Sequence, residues 1–127
     1  MPNTHPRAHP TWVGVCLDQD PGAAIATLTA SADMAVDDRG LVHGGFVFGL
    51  ADYAAMLAVD DPNVVLGAAD VRLLRPVQIG DALVAQAAVD SQSGKKRIVK
   101  VVVRRGETEV LTGTFTAFVL DRHVLDA

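Results

Sequence analysis

At 127 residues, half of them hydrophobic, the chain fits one domain with one core, and a monomer of this size has difficulty hiding that much apolar surface, so self-association is expected. A net charge of -4 with a pI near 5.4 argues against a nucleic-acid partner, because phosphate binding relies on a basic excess. The one cysteine, Cys16, has no internal disulfide partner, which fits the reducing cytoplasm.

The opening stretch MPNTHPRAHP carries three prolines and no apolar h-region, so it does not read as a secretory signal. Residues 1–10 are expected to form a flexible tail and 11–127 a single domain. Thr11 to Leu17 reads as a short strand, joined through the turn signal DQDPG to a second strand from Gly22 to Met34. In that second strand Ala26, Leu28, Ala30, Ala32 and Met34 alternate with polar neighbours, the pattern of a half-buried strand. The two should pair as a hairpin.

After DDRG, the segment from His43 to Val59 is too long for a strand and free of proline, and it is expected to be the one substantial helix. Val47, Leu50, Ala51, Ala54, Leu57 and Ala58 share one face at 100° per residue. The opposite face carries Gly45, Gly49, Asp52 and Met56, flanked by Phe48 and Tyr53. A helix apolar nearly all round requires burial all round. Asp52 also interrupts the longest apolar stretch below the roughly 18 residues of a membrane span, so no membrane partner is expected.

Beyond DDPN the chain reads as strands: Val64 to Leu74, Ala82 to Asp90, Arg97 to Arg104 and Thr108 to Leu120. The links VQIGD, SQSGK and RRGE carry turn residues, which implies an antiparallel meander. The expected class is α+β, an antiparallel sheet of five to six strands on one long helix, with a second copy of the chain as the economical cover for the helix's other face.

Aspartate in mid-helix has poor propensity, and among apolar neighbours its charged form is desolvated, which raises the pKa and makes a better base. The residues alone leave Asp52 as either a catalytic carboxylate or a structural partner of His43, an arginine or a second chain. A helix start supplies unpaired amides and positive potential, and glycines at 44 and 45 let a ligand approach the backbone; the same glycines would also suit a tight turn. His43 sits near the N-cap without metal-ligand companions, so a supporting role is expected and no metal. Six of the eleven basic residues fall between Lys95 and Arg105. Lys95, Lys96 and Arg97 at a hairpin could hold an anion or simply be solvated, and Arg72 and Arg75 could do the same or pair with Asp70 or Asp81. Small residues at Ala55, Gly67, Ala68 and Ala69 permit either room for a ligand or close packing.

The order strand, strand, HGG-initiated helix, then strands around LLRPVQIGD resembles the hotdog-fold acyl-CoA thioesterases, in particular the phenylacetate-degradation (PaaI-like) type of the 4-hydroxybenzoyl-CoA thioesterase superfamily. The likeness runs from about Trp12 to Val119 and rests on His43-Gly44-Gly45, the Leu-Ala-Asp ending at Asp52, and Arg75, Pro76, Gly80 and Asp81. The resemblance implies that Asp52 is the general base or nucleophile, that an amide of Gly44 or Gly45 polarises the thioester carbonyl, and that the site lies between two protomers of a homodimer or homotetramer. Coenzyme A would be part of the substrate, with no separate cofactor, and Phe48, Met56, Gly67 and Ala68 become candidates to line the pocket. Two departures stand out: Asp37 replaces an asparagine common in relatives, and LGAAD replaces a strand that often offers serine or threonine. The rival readings are a non-catalytic acyl-CoA sensor and a hotdog hydratase or dehydratase.

Overall fold

The computed structural model describes residues 2–126. Six strands, β1 (Val15–Asp20), β2 (Ala23–Thr29), β3 (Val64–Leu73), β4 (Ala82–Ser93), β5 (Lys96–Arg105) and β6 (Thr108–Val119), form one antiparallel sheet in the order β1-β2-β4-β5-β6-β3. The helix α1 (Gly44–Val59) lies in the hollow of that sheet and touches all six strands. The expected α+β class, with a sheet wrapped on one helix, is what the chain adopts.

The core follows the two periodicities. Ala24, Ala26 and Leu28 of β2, Leu83, Ala85 and Ala87 of β4, and Val99, Val101 and Val103 of β5 face the helix and are buried. From α1, Val47, Leu50, Ala51, Ala54, Leu57 and Ala58 meet them. Alanines on both sides shorten the reach between helix and sheet, and Phe115 of β6 fills the wider gap against Phe48 at 5.5 Å between ring centres.

Three expectations are corrected. The first strand starts at Val15, because Thr11 to Val13 turn back, with the Val13 amide donating to the His9 carbonyl at 2.8 Å. Gly14 (φ +135°) follows, and a Cβ there would stand 2.8 Å from Leu50 Cδ1. The second strand stops at Thr29, since the Ala30 amide bonds the Asp81 carbonyl at 2.9 Å and the chain then folds into a short 3-10 turn, leaving Ala32 exposed. The meander covers only β4, β5 and β6. The eight-residue link Leu74–Asp81 is no tight hairpin; it crosses past the helix start, so β3 pairs with β6 at the sheet edge rather than with β4.

The helix finds part of its second cover within the chain. The amino-terminal residues run along α1 from its carboxyl end toward its start: the Asn3 amide and Nδ2 donate to the two carboxylate oxygens of Asp60 at 2.7 and 2.9 Å, His5 lies 6.3 Å from the Tyr53 ring, and Trp12 lies 6.1 Å from Phe46. Asp60 closes the helix in the left-handed conformation (φ 54°), and Thr4 is buried. Tyr53 and Met56 are therefore only 7 and 1 % exposed without a second copy. Among the described residues no helix is long and apolar enough to cross a membrane.

Candidate active site

The helix begins where the link from β2 is pinned. The His43 amide donates to the Met34 carbonyl at 2.9 Å and the Val42 amide to Val77 at 2.8 Å, fixing the angle at which Gly44 enters α1. His43 is the N-cap with no side-chain capping bond, and its ring stands edge-on to Phe46 at 6.0 Å. That ring occupies the space beside Gly45: a Cβ on residue 45 would be 2.7 Å from His43 Nε2. Gly44 is as confined, with Leu73 Cδ1 3.0 Å from where its Cβ would be. Among the described residues the Gly44 and Gly45 amides have no hydrogen-bond acceptor, whereas the Phe46 amide is used by the His43 carbonyl at 3.1 Å. Two open amides at a helix start, with the dipole behind them, favour a negatively charged oxygen.

Asp52 lies seven residues further on, on the same side as Gly45. It is partly buried, and its Oδ1 is shut from solvent with no hydrogen-bond partner. Burial pushes its carboxyl above the usual carboxylate range, and the charge of His5 pulls in the opposite direction. A carboxylate held this way retains proton affinity, which is what a base requires.

The other nominated residues separate into groups. Arg75 shares a cleft of about 290 Å³ with Gly44, Val47, Leu73 and Pro76, at the mouth of the glycine turn. Asp37 closes the loop ahead of the helix, its Oδ1 accepting from the Arg39 and Leu41 amides at 2.9 and 3.1 Å, and it borders a second cleft with Arg39 and Arg105. Phe48 is half-buried against Phe115, and Met56 is enclosed. Gly67 sits at a bulge of β3 under the Phe118 ring, which occupies the place of a Cβ.

Arg72 faces away from the helix. It pairs with Thr112 and, like Ala68 and Asp70, belongs to the outer side of the sheet, where it borders Lys100 and Thr114. Asp81 takes Arg105 as its partner at 3.2 Å, not Arg75. Lys95 pairs with the exposed Asp121 at 3.0 Å, and Arg97 donates to the Gly94 carbonyl at 2.7 Å. With Lys96 they occupy the end of β5 remote from the glycine turn, about 23 Å from Val103 at strand rise. Sequence reasoning gave no role to His5, Arg39 or Arg105; tertiary folding alone brings them to these positions. No cluster of metal-ligating side chains occurs among the described residues.

A helix start with two open glycine amides, followed on the same face by a desolvated aspartate, places the chain among known proteins. Residues 39–112 match the family model described as thioesterase superfamily, a span that holds Gly44, Gly45 and Asp52. The chain belongs to that superfamily. Its fold superposes on an uncharacterized protein of Pyrococcus horikoshii with a TM-score of 0.97 at 50 % identity, covering 99 % of each chain. The phenylacetic acid degradation protein PaaI of Thermus thermophilus, solved as an N33D mutant, is 31 % identical with a TM-score of 0.77, over 85 % of this chain and 95 % of that one. A transcription factor, FapR, of Caldanaerobacter subterraneus is 32 % identical over 89 % of this chain and 57 % of its own length. The chain spans an even smaller part, 22 %, of a methylthioribose-1-phosphate isomerase sequence of Aquifex aeolicus, 48 % identical over 101 residues. The hotdog fold and the PaaI-like resemblance expected from the sequence are thereby established.

Proposed function

We propose that the protein hydrolyses an acyl- or aryl-CoA thioester to the free acid and coenzyme A, with Asp52 as general base. The observation that carries this reading is the buried, unpartnered Oδ1 of Asp52 in a chain whose Gly44 and Gly45 amides are also without an acceptor. In the reaction Asp52 takes a proton from water as the water oxygen bonds to the carbonyl carbon. The carbonyl oxygen gains negative charge, which the glycine amides and helix dipole stabilise. The carbon–sulfur bond then breaks, the sulfur receives the proton from Asp52, and the acid departs.

Seven residues of helix separate Gly45 from Asp52 by about 10 Å along the axis. The resemblance to the PaaI-like thioesterases implies a site between two protomers, and on that ground we propose that each Asp52 works with the glycine turn of a second copy. The sheet supplies a surface for it: β3 is an edge strand whose residues Gly67–Ala69 are exposed and uncharged, whereas the opposite edge, β1, carries Asp18 and Asp20. Arg75, in the cleft beside Gly44, is the side chain of this chain placed to meet a coenzyme A phosphate.

The likeness to a transcription factor supports a second reading, an acyl-CoA-binding module without turnover. A panel of acyl-CoA esters, read by release of free thiol, decides between them. Catalytic thiol release with at least one ester is expected; saturable binding of the panel with no release would replace hydrolysis by sensing.

A further inference from the structure

The outer face of the sheet, turned away from the helix, takes no part in the mechanism. An antiparallel sheet with one solvated face ordinarily alternates apolar inward with polar outward positions. Strands β5 and β6 follow this where Lys100, Thr112 and Thr114 point out, but β2 and β4 do not. Their outward positions hold Ala23 and Ile25, and Ala82, Val84 and Ala88; between Ala23 and Thr27 and between Ala82 and Ala88 only Thr27 and Gln86 are polar on that side. The inward neighbours Ala24, Ala26, Leu83, Ala85 and Ala87 are already core, so both strands are apolar on both faces. That is the pattern of strands covered on both sides. Yet Ala82, Gln86 and Ala88 are exposed, and a hollow of about 430 Å³ opens between Asp18, Ile25, Gln86, Ala88, Lys100 and Val102.

The charges around this patch are segregated by strand. Through the pairing registers Asp20, Ala23, Ala88 and Lys100 form one row across β1, β2, β4 and β5, and Asp18, Ile25, Gln86 and Val102 form the next. Each row runs from a carboxylate at the β1 edge to β5, where Lys100 and Arg104 flank Val102. Arg104 is taken by Glu109 at 3.4 Å, but Asp18, Asp20 and Lys100 form no ion pair among the described residues. Lys100 Nζ donates to Thr114 Oγ1 at 2.9 Å, and Asp18 Oδ1 accepts from the Gln19 amide at 3.0 Å. We propose that this face docks on the same face of a second copy, about a twofold axis that lies between the two sheets, parallel to the strands and midway between β2 and β4. Strands β1 and β5 stand equally far from that line, one and a half strand spacings or about 7 Å to either side. The rotation sets Asp20 of each protomer opposite Lys100 of the other and closes Ala23, Ile25, Val84 and Ala88 into an apolar centre. It also keeps the strands of the two sheets nearly aligned, as sheet-on-sheet packing prefers. A twofold axis across the strands would oppose β1 to β1 and β5 to β5, like charge to like, so the charge order selects the first arrangement. The contact does not depend on Asp52 or on pairing through β3; together with that pairing it makes a four-chain particle whose helices face outward.

The test is the mass of the full chain in solution, by sedimentation velocity at micromolar concentration, for the parent and four variants. Asp20, Ala88 and Lys100 are exposed, so each variant should keep its fold, which circular dichroism checks. Ala88→Arg sets a long cation in the centre of the patch and should halve the particle, from four chains to two, or from two to one where pairing through β3 does not occur. Asp20→Lys and Lys100→Asp each oppose like charges and should weaken the association by roughly tenfold or more. The double exchange, Asp20→Lys with Lys100→Asp, restores opposed signs and should return the parent mass, a recovery that damage to the fold would not produce. A parent that sediments as a single chain, or a mass unchanged in Ala88→Arg, overturns the proposal and leaves the face to a different protein. A double exchange no better associated than its single variants overturns it as well, because the carboxylate and the ammonium then do not meet across the axis.

Discussion

Replacing Asp52 with asparagine separates a working carboxylate from a structural one, because activity and stability move in opposite directions. The substitution keeps shape and removes the proton acceptor, so kcat should fall by roughly 10²- to 10⁴-fold, the usual worth of a positioned general base, or about 3 to 5 kcal/mol in the barrier. Stability follows from the environment of the carboxylate. Burial raises the folded-state pKa above the unfolded one, so in the interval between the two values the native state holds a proton that the unfolded state has lost. With more protons bound in the native state, stability falls as pH rises through that interval and levels off above it. The asparagine variant lacks this loss. Its melting temperature at pH 7 should equal or exceed that of the parent, and the gap should close below the titration of an ordinary aspartate. Thermal melts at pH 3.5 and 7 beside thiol-release kinetics give the answer. A variant that melts lower at pH 7 yet turns over normally per folded molecule would make Asp52 an interface residue and remove it from the mechanism.

Gly45→Ala would put a methyl 2.7 Å from His43 Nε2, and the ring, being the end of a side chain, would swing away with little cost to folding. Roughly a tenfold loss in kcat is expected, less than the 10²- to 10³-fold for deleting an oxyanion donor because the amide itself stays; full activity with an unchanged melting temperature would show that the His43 position is irrelevant. Arg75→Glu should raise KM strongly with kcat nearly unchanged, since a phosphate contact is shared by ground and transition states. The same reversal at Lys96, at the far end of β5, serves as comparison, and a KM rise confined to Lys96→Glu would put the coenzyme A phosphates at the hairpin.

Periodicity made the helix and its inward face legible, because Val47, Leu50, Ala51, Ala54, Leu57 and Ala58 all recur at the spacing that burial selects and all are buried. The strands were legible for the same reason, but their order was less so: a link of eight residues is as compatible with a crossing as with a hairpin, and only the helix lying against the sheet decides that β3 goes to the β6 edge. The glycine turn and Asp52 stood out because each breaks a local preference, glycine at a helix start and a charge in an apolar helix, and such breaks need a compensating gain. Boundaries failed where tertiary contacts override alternation, as at Ala30, whose amide leaves the strand for Asp81.

The amino-terminal segment was the least legible part, and the reason is physical. Proline, threonine and histidine in MPNTHPRAHP have no period, so nothing in the sequence says which surface they will cover. Their placement is set by contacts made after the helix exists: a carboxylate at its left-handed end for Asn3, and ring faces of Tyr53 and Phe46 for His5 and Trp12. That placement also revises the reason for expecting a dimer. Tyr53 and Met56, which a second copy was expected to cover, are already buried by their own chain. The proposal of a paired unit rests instead on the resemblance to the PaaI-like thioesterases, which implies a site shared between two protomers. If each site is shared in this way, pairing two copies about a twofold axis would complete both sites at once, the Asp52 of one protomer beside the glycine turn of the other.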